Sequence, residues 1–120
     1  MSIIVSDEDV QQWLNKLEEL NEKLFESTEE LTKSEEDRKI MKSILMREYD
    51  EAHFKNTGKP LAASIQERDA YADPRYREVS ERLAISKATV SYLHQKFKQF
   101  EATYNIWRSV NANMRTVDRM

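Results

Sequence analysis

The sequence contains no cysteine, one glycine and two prolines in 120 residues. The missing cysteine excludes a disulfide framework, a thiolate zinc site and a cysteine nucleophile, and it is compatible with an intracellular setting. So little glycine and proline leaves few places for turns. That argues against a sheet protein or a loop-rich enzyme and for a small number of long helices. No apolar run approaches the roughly 18–20 residues that a membrane helix needs, so no membrane association is expected. The opening segment MSIIVSDEDV has no basic region and only three consecutive apolar residues. It is not a signal peptide by that pattern, and the expected location is the cytoplasm, or the host cytoplasm if the chain is phage-encoded. The length is that of one domain, 1–120.

Charge is plentiful and unevenly placed. Lysine, arginine, aspartate and glutamate make up 34% of the residues, yet the net charge is only −3. Residues 1–37 carry 12 acidic and 3 basic groups, whereas residues 38–120 carry 16 basic and 10 acidic groups. Within 82–115 the basic residues are Arg82, Lys87, Lys96, Lys98, Arg108 and Arg115, against the single acid Glu101. An acidic first part joined to a basic last part implies either charge pairing within or between subunits, or an anionic partner for the basic part.

Periodicity places the helices. Ser6 ahead of Asp7, Glu8 and Asp9 reads as a cap with acids at the positive end of a helix. Val10, Trp13, Leu17, Leu20, Leu24, Ser27 and Leu31 then step by three and four, a heptad seam that Leu14 and Phe25 widen. The pattern predicts a first helix over 7–31. The stretch TKSEED is read as a break, with Ser34 and Asp37 as a capping box. A second helix over 35–55 follows, with Ile40, Met41, Ile44, Leu45, Tyr49 and Ala52 on its apolar face. KNTGKP, at 55–60, contains the only glycine and marks a loop over 56–60. Pro60 suits the first turn of a short helix over 61–72, and Asp73-Pro74 restarts the chain as cap and first helical residue.

The longest pattern comes last, in a helix over 74–116. Tyr76, Val79, Leu83, Ser86, Val90, Leu93, Phe97, Phe100, Tyr104, Trp107, Asn111 and Met114 alternate three and four without a slip. A helix of that length extends about 60 Å, more than one small globule can bury. The expected fold is therefore all-α, a long-helix bundle or coiled-coil assembly of three main helices and one short one, in a homo-oligomer. Leu83, Val90, Leu93, Phe97, Phe100, Tyr104, Trp107 and Asn111 are the expected core or oligomer seam. Asn111 either fixes the register of a buried seam or lies wet at a fraying end.

Catalytic chemistry has no signature here. His53 and His94 are the only histidines and fall on different predicted helices. There is no HExxH, no Ser/His/Asp arrangement and no phosphate-cradling glycine loop. Glutamate pairs such as Glu18–Glu22 lie opposite the leucine seam, as on a solvated face. No enzyme activity, metal or cofactor is expected.

Binding chemistry is better represented. Lys87, His94, Glu101, Arg108 and Arg115 recur at seven-residue steps beside the seam, and Arg82, Thr89, Lys96 and Thr103 form a second stripe. Basic side chains there can lie along apolar surface with the charge in water. Repeated in an oligomer, they would attract a phosphate backbone. The same stripes could instead pair with Glu18, Glu19, Glu22, Glu26, Glu29 and Glu30. Phe100, Tyr104 and Trp107 sit among arginines, a combination that single-stranded nucleic acid stacks on. Their place in a seam starting at Tyr76 assigns them to packing instead.

The order of a basic loop around Lys55–Lys59, a short polar helix, an Asp-anchored restart and a long helix ending in YNIWRSVNANMR resembles the small phage recombination mediators of the UvsY type. The resemblance covers roughly residues 55–117. The glycine-rich linker of that family is missing, and the N-terminal leucine heptad has no counterpart. The resemblance implies an oligomeric helical protein that binds single-stranded DNA and helps load a recombinase onto strands covered by a single-strand-binding protein. Lys55, Lys59 and Arg108 are then the DNA-contact positions, with Lys87, Lys96 and Arg115 added on charge. The competing expectation is a helical protein–protein interaction module without a DNA role: an assembly adaptor or chaperone, or an inhibitor of a host defence enzyme.

Overall fold

A computed structural model describes the backbone of residues 7–118 and the side chains of residues 7–114. The protein is all-α and built from long helices. Among the described residues there are three helices and no strand: α1 Asp7–Thr57, α2 Ala63–Ala72 and α3 Pro74–Asp118. The Ser6 cap lies outside the described residues, while Asp7, Glu8 and Asp9 occupy the first turn of α1, where carboxylates meet the positive end of the helix.

The expected break at TKSEED does not occur. α1 is continuous for 51 residues, so the two helices over 7–31 and 35–55 are one. The segment has neither glycine nor proline, and nothing in it interrupts the hydrogen-bond ladder. Ser34 is not a cap but a buried member of the same seam. Continuing the three-four rhythm past Leu31 gives Ser34, Arg38, Met41 and Leu45, all buried or half-buried. Two polar residues in succession disguise a register that never slips. Ile40, Ile44, Leu14 and Phe25, expected on the apolar face, are exposed.

α1 ends where glycine permits it. Gly58 has φ +69°, in the left-handed region that costs an L-residue roughly 1–2 kcal/mol. Its N–H donates to the Phe54 carbonyl at 2.7 Å, and the Thr57 hydroxyl donates to the His53 carbonyl at 2.8 Å. Pro60 falls in the connector, two residues ahead of the Ala62 cap of α2, and not in the helix's first turn. Asp73 closes α2 and opens α3 as expected. Its N–H donates to the Ala70 carbonyl, and its own carbonyl accepts from Tyr76 and Arg77.

The described residues fall into two compact units, one formed by residues 27–89 and the other by 7–26 with 90–118. In the 27–89 unit, Leu45, Ala70, Val79 and Leu83 form the buried core, where α1, α2 and α3 meet. The Leu61 N–H donates to Asp50 Oδ1 at 2.9 Å and Gln66 Nε2 to the Leu61 carbonyl at 2.7 Å, fixing the connector on α1. In the other unit Leu93 is buried, and Trp13 of α1 lies against the aromatic run of α3. No described helix is long and apolar enough to cross a membrane.

Candidate functional site

The long α3 presents two faces with different chemistry. Its seam follows the sequence pattern closely. Leu83 and Leu93 are buried, and Val90, Phe97, Phe100, Tyr104, Trp107 and Asn111 are half-buried. Asn111 lies inside a helix that continues to Asp118, so a fraying end does not account for it.

The Trp13 ring is the centre of the aromatic cluster. It meets Phe100 and Tyr104 at 6.5 Å between centroids and Trp107 at 5.7 Å, each edge to face. This geometry aligns ring edges with the electron-rich faces of their neighbours, and each such pair adds about 0.5–1.5 kcal/mol beyond area burial. Phe100, Tyr104 and Trp107 therefore have a protein partner. Sequence spacing shows that they share a face but not that Trp13 fills it.

Beside the seam the basic residues are exposed. Lys87 stands on the 27–89 unit, and Lys96, Lys98 and Arg108 stand on the other. Among the described residues none of the four makes an ion pair with a carboxylate. The Arg108 guanidinium sits 6.0 Å from the Tyr104 ring centroid, and Lys96 Nζ sits 5.7 Å from that of Tyr92. Both are cation–aromatic contacts that leave the charge available. Asn105, Arg108, Ser109 and Ala112 line an open depression of about 370 Å³. Arg115 lies in α3, with its side chain outside the described residues. Lys55 is exposed in the last turn of α1, and Lys59 is exposed in the connector that follows. The Lys59 backbone N–H donates to Thr57 Oγ1 at 3.2 Å.

The alternative destination for these cations is not occupied. Glu18, Glu19, Glu22, Glu26, Glu29 and Glu30 form no ion pair among the described residues and are exposed. The ion pairs that do bridge elements lie elsewhere, in the 27–89 unit. Lys42 Nζ donates to Glu67 Oε1 at 2.8 Å, and Arg75 reaches Glu48 at 2.8 Å.

Sequence reasoning misses the polar cluster around those pairs. Asp73 is buried, at 6% exposure, and collects four donors. They are the Arg75 backbone N–H at 2.8 Å, Arg75 Nε and Nη2 at 3.1 Å each, and the Tyr49 hydroxyl at 2.7 Å. The Arg75 guanidinium, then Tyr49 and the Arg75 N–H, hold the Asp73 carboxyl well below the usual carboxylate range. Tyr49 is correspondingly raised, mainly because it donates to Asp73. Glu67 is lowered by the Lys42 ammonium and by the Tyr71 hydroxyl, which donates to it at 2.9 Å. Lys42 also sits 5.0 Å from the Tyr71 ring centroid. Every group here is spent on a neighbour, so the cluster positions α2 and the start of α3 and offers no free acid or base. The only signal for it is the Asp73-Pro74 cap; nothing local in the sequence points to Glu48 or Tyr49. Among the described residues no group of three or more potential metal ligands gathers.

Compared with known proteins, the chain matches no protein-family model, no curated protein and no solved structure.

Proposed function

We propose that this chain is an oligomeric helical binding protein, not an enzyme, that holds single-stranded DNA along the basic side of α3. In this reading it acts in the cytoplasm as a phage-type accessory of recombination or replication, assisting recombinase loading on strands covered by a single-strand-binding protein. The observation that carries the reading is the unpaired state of Lys87, Lys96 and Arg108 among the described residues, although α1 carries six exposed glutamates. Cations without carboxylate partners are free to release counterions from a phosphate backbone. The order of elements over 55–117 adds the resemblance to recombination mediators, with Lys55, Lys59 and Arg108 as contacts. The test is binding to fluorescent oligo-dT by the full chain and by K96E/R108E. The double reversal is expected to weaken binding about tenfold or more at low salt with helicity unchanged. Equal binding by both proteins would sink the reading.

A second reading has its own support. Phe25, Ile85 and Ile106 are each about two-thirds exposed, which suits a protein–protein interaction module with no DNA role. That module would be an assembly adaptor or chaperone, or an anti-defence inhibitor. It predicts retained oligomerisation and no oligo-dT binding.

A further inference from the structure

Two helices packed on each other bury one strip apiece and leave apolar residues facing outward. On the 27–89 unit this produces a groove of about 290 Å³. α1 supplies Ser27 and Glu30 to it, and α3 supplies Arg82, Ile85, Ser86 and Thr89. Ile85 is 67% exposed, a large apolar side chain with no cover. The hydroxyls beside it already have partners. The Thr89 hydroxyl donates to the Ile85 carbonyl at 2.9 Å, and the Ser86 hydroxyl is 3.3 Å from that of Ser34. What faces outward is Ile85, flanked by an acid on the α1 rim and a base on the α3 rim.

We infer that this groove receives a second copy of the chain, related by a two-fold axis near Ile85. The inference rests on the oligomeric part of the reading above and says where the subunits meet. A two-fold contact brings a patch onto itself, so every residue must find its complement within the same patch. This groove meets that condition. Rotation about an axis near Ile85 packs Ile85 against Ile85 of the second copy. It also carries Glu30 of each copy toward Arg82 of the other. Glu30 makes no hydrogen bond or ion pair among the described residues. Arg82 is held only by Glu78 at 2.7 Å, four residues back, with both side chains more than 60% exposed. Such exposed intrahelical pairs contribute little, so Arg82 can exchange one carboxylate for another. A partner of single charge sign would leave one rim unmatched; a second copy matches both. Four helices then surround a shared strip, which buries apolar area that two helices leave wet.

Size-exclusion light scattering of the full chain tests this, with circular dichroism as the folding control. Because the contact pairs chains, the wild-type mass should be an even multiple of 14.3 kDa. I85K and E30K should each lower it about twofold. E30K/R82E, which exchanges the rim charges, should restore it. The restoration keeps the test valid even if a single variant loses helicity, because only complementary rims predict recovery. A monomeric or odd-numbered wild type overturns the inference. So does an unchanged mass in both I85K and E30K, or an E30K/R82E protein that stays dissociated. Oligo-dT binding measured on the same samples separates the two proposals. An assembled wild type that binds oligo-dT and keeps its mass in I85K and E30K overturns the groove contact and leaves DNA binding standing. A wild type that ignores oligo-dT, with variants that dissociate, overturns DNA binding and leaves the groove contact standing.

Discussion

The hydroxyls of Ser34 and Ser86 stand 3.3 Å apart where α1 faces α3. Each is a polar member of its own heptad seam, and the two meet. One hydroxyl donates to the other, so neither polar group is left alone between the helices.

That pairing predicts non-additive substitutions. S34A or S86A alone should cost about 1 kcal/mol, because the remaining hydroxyl loses its partner. The double variant should cost less than the sum, with a coupling of about 0.5–1 kcal/mol. Urea denaturation of the four proteins, followed by circular dichroism, supplies the cycle. Strict additivity would show that the hydroxyls act independently.

Asp73 predicts the acid limb of stability. Its folded-state pKa is depressed below the ordinary 3.8, and that of Glu67 is depressed below 4.5. A depressed carboxyl contributes stability that is present above its unfolded value and lost as pH falls through the folded one. The melting temperature should therefore be flat near neutrality and fall steeply once pH drops below about 4. D73N should melt lower at neutral pH and show a shallower acid limb, since it has no carboxylate to protonate. Parallel acid limbs for wild type and D73N would remove Asp73 as a cause.

Trp13 predicts how the aromatics behave. W13A should destabilise by about 2–3 kcal/mol, below the range of about 3–5 for fully buried aromatic truncations, because Trp13 is half-buried. Since Trp13 occupies the face shared by Phe100, Tyr104 and Trp107, bound oligo-dT should leave tryptophan fluorescence nearly unquenched. Deep quenching on binding would return the rings to a stacking role.

These relationships differ in how far the sequence discloses them. The all-α class, the Asp73-Pro74 start of α3 and its seam from Tyr76 to Trp107 are legible, because helical period and cap chemistry are local. The continuity of α1 is not, because Ser34 and Arg38 occupy two successive seam positions and imitate a polar break. The absence of glycine and proline from TKSEED is the better guide. The donors to Asp73 are invisible for another reason. Tyr49 is 24 residues away, and only packing brings it within reach. Lys87, Lys96 and Arg108 are exposed beside the seam, as their spacing suggests, but whether glutamates quench them depends on side-chain placement across helices.

The proposed role of the basic side of α3 is to meet phosphates. The most direct measurement is the salt dependence of oligo-dT binding by the wild-type chain. Binding should weaken steeply between about 50 and 200 mM salt, with a log–log slope of about −0.7 for each phosphate contacted. K96E/R108E should flatten that slope. No binding at the lowest salt, or binding indifferent to salt, would contradict the account.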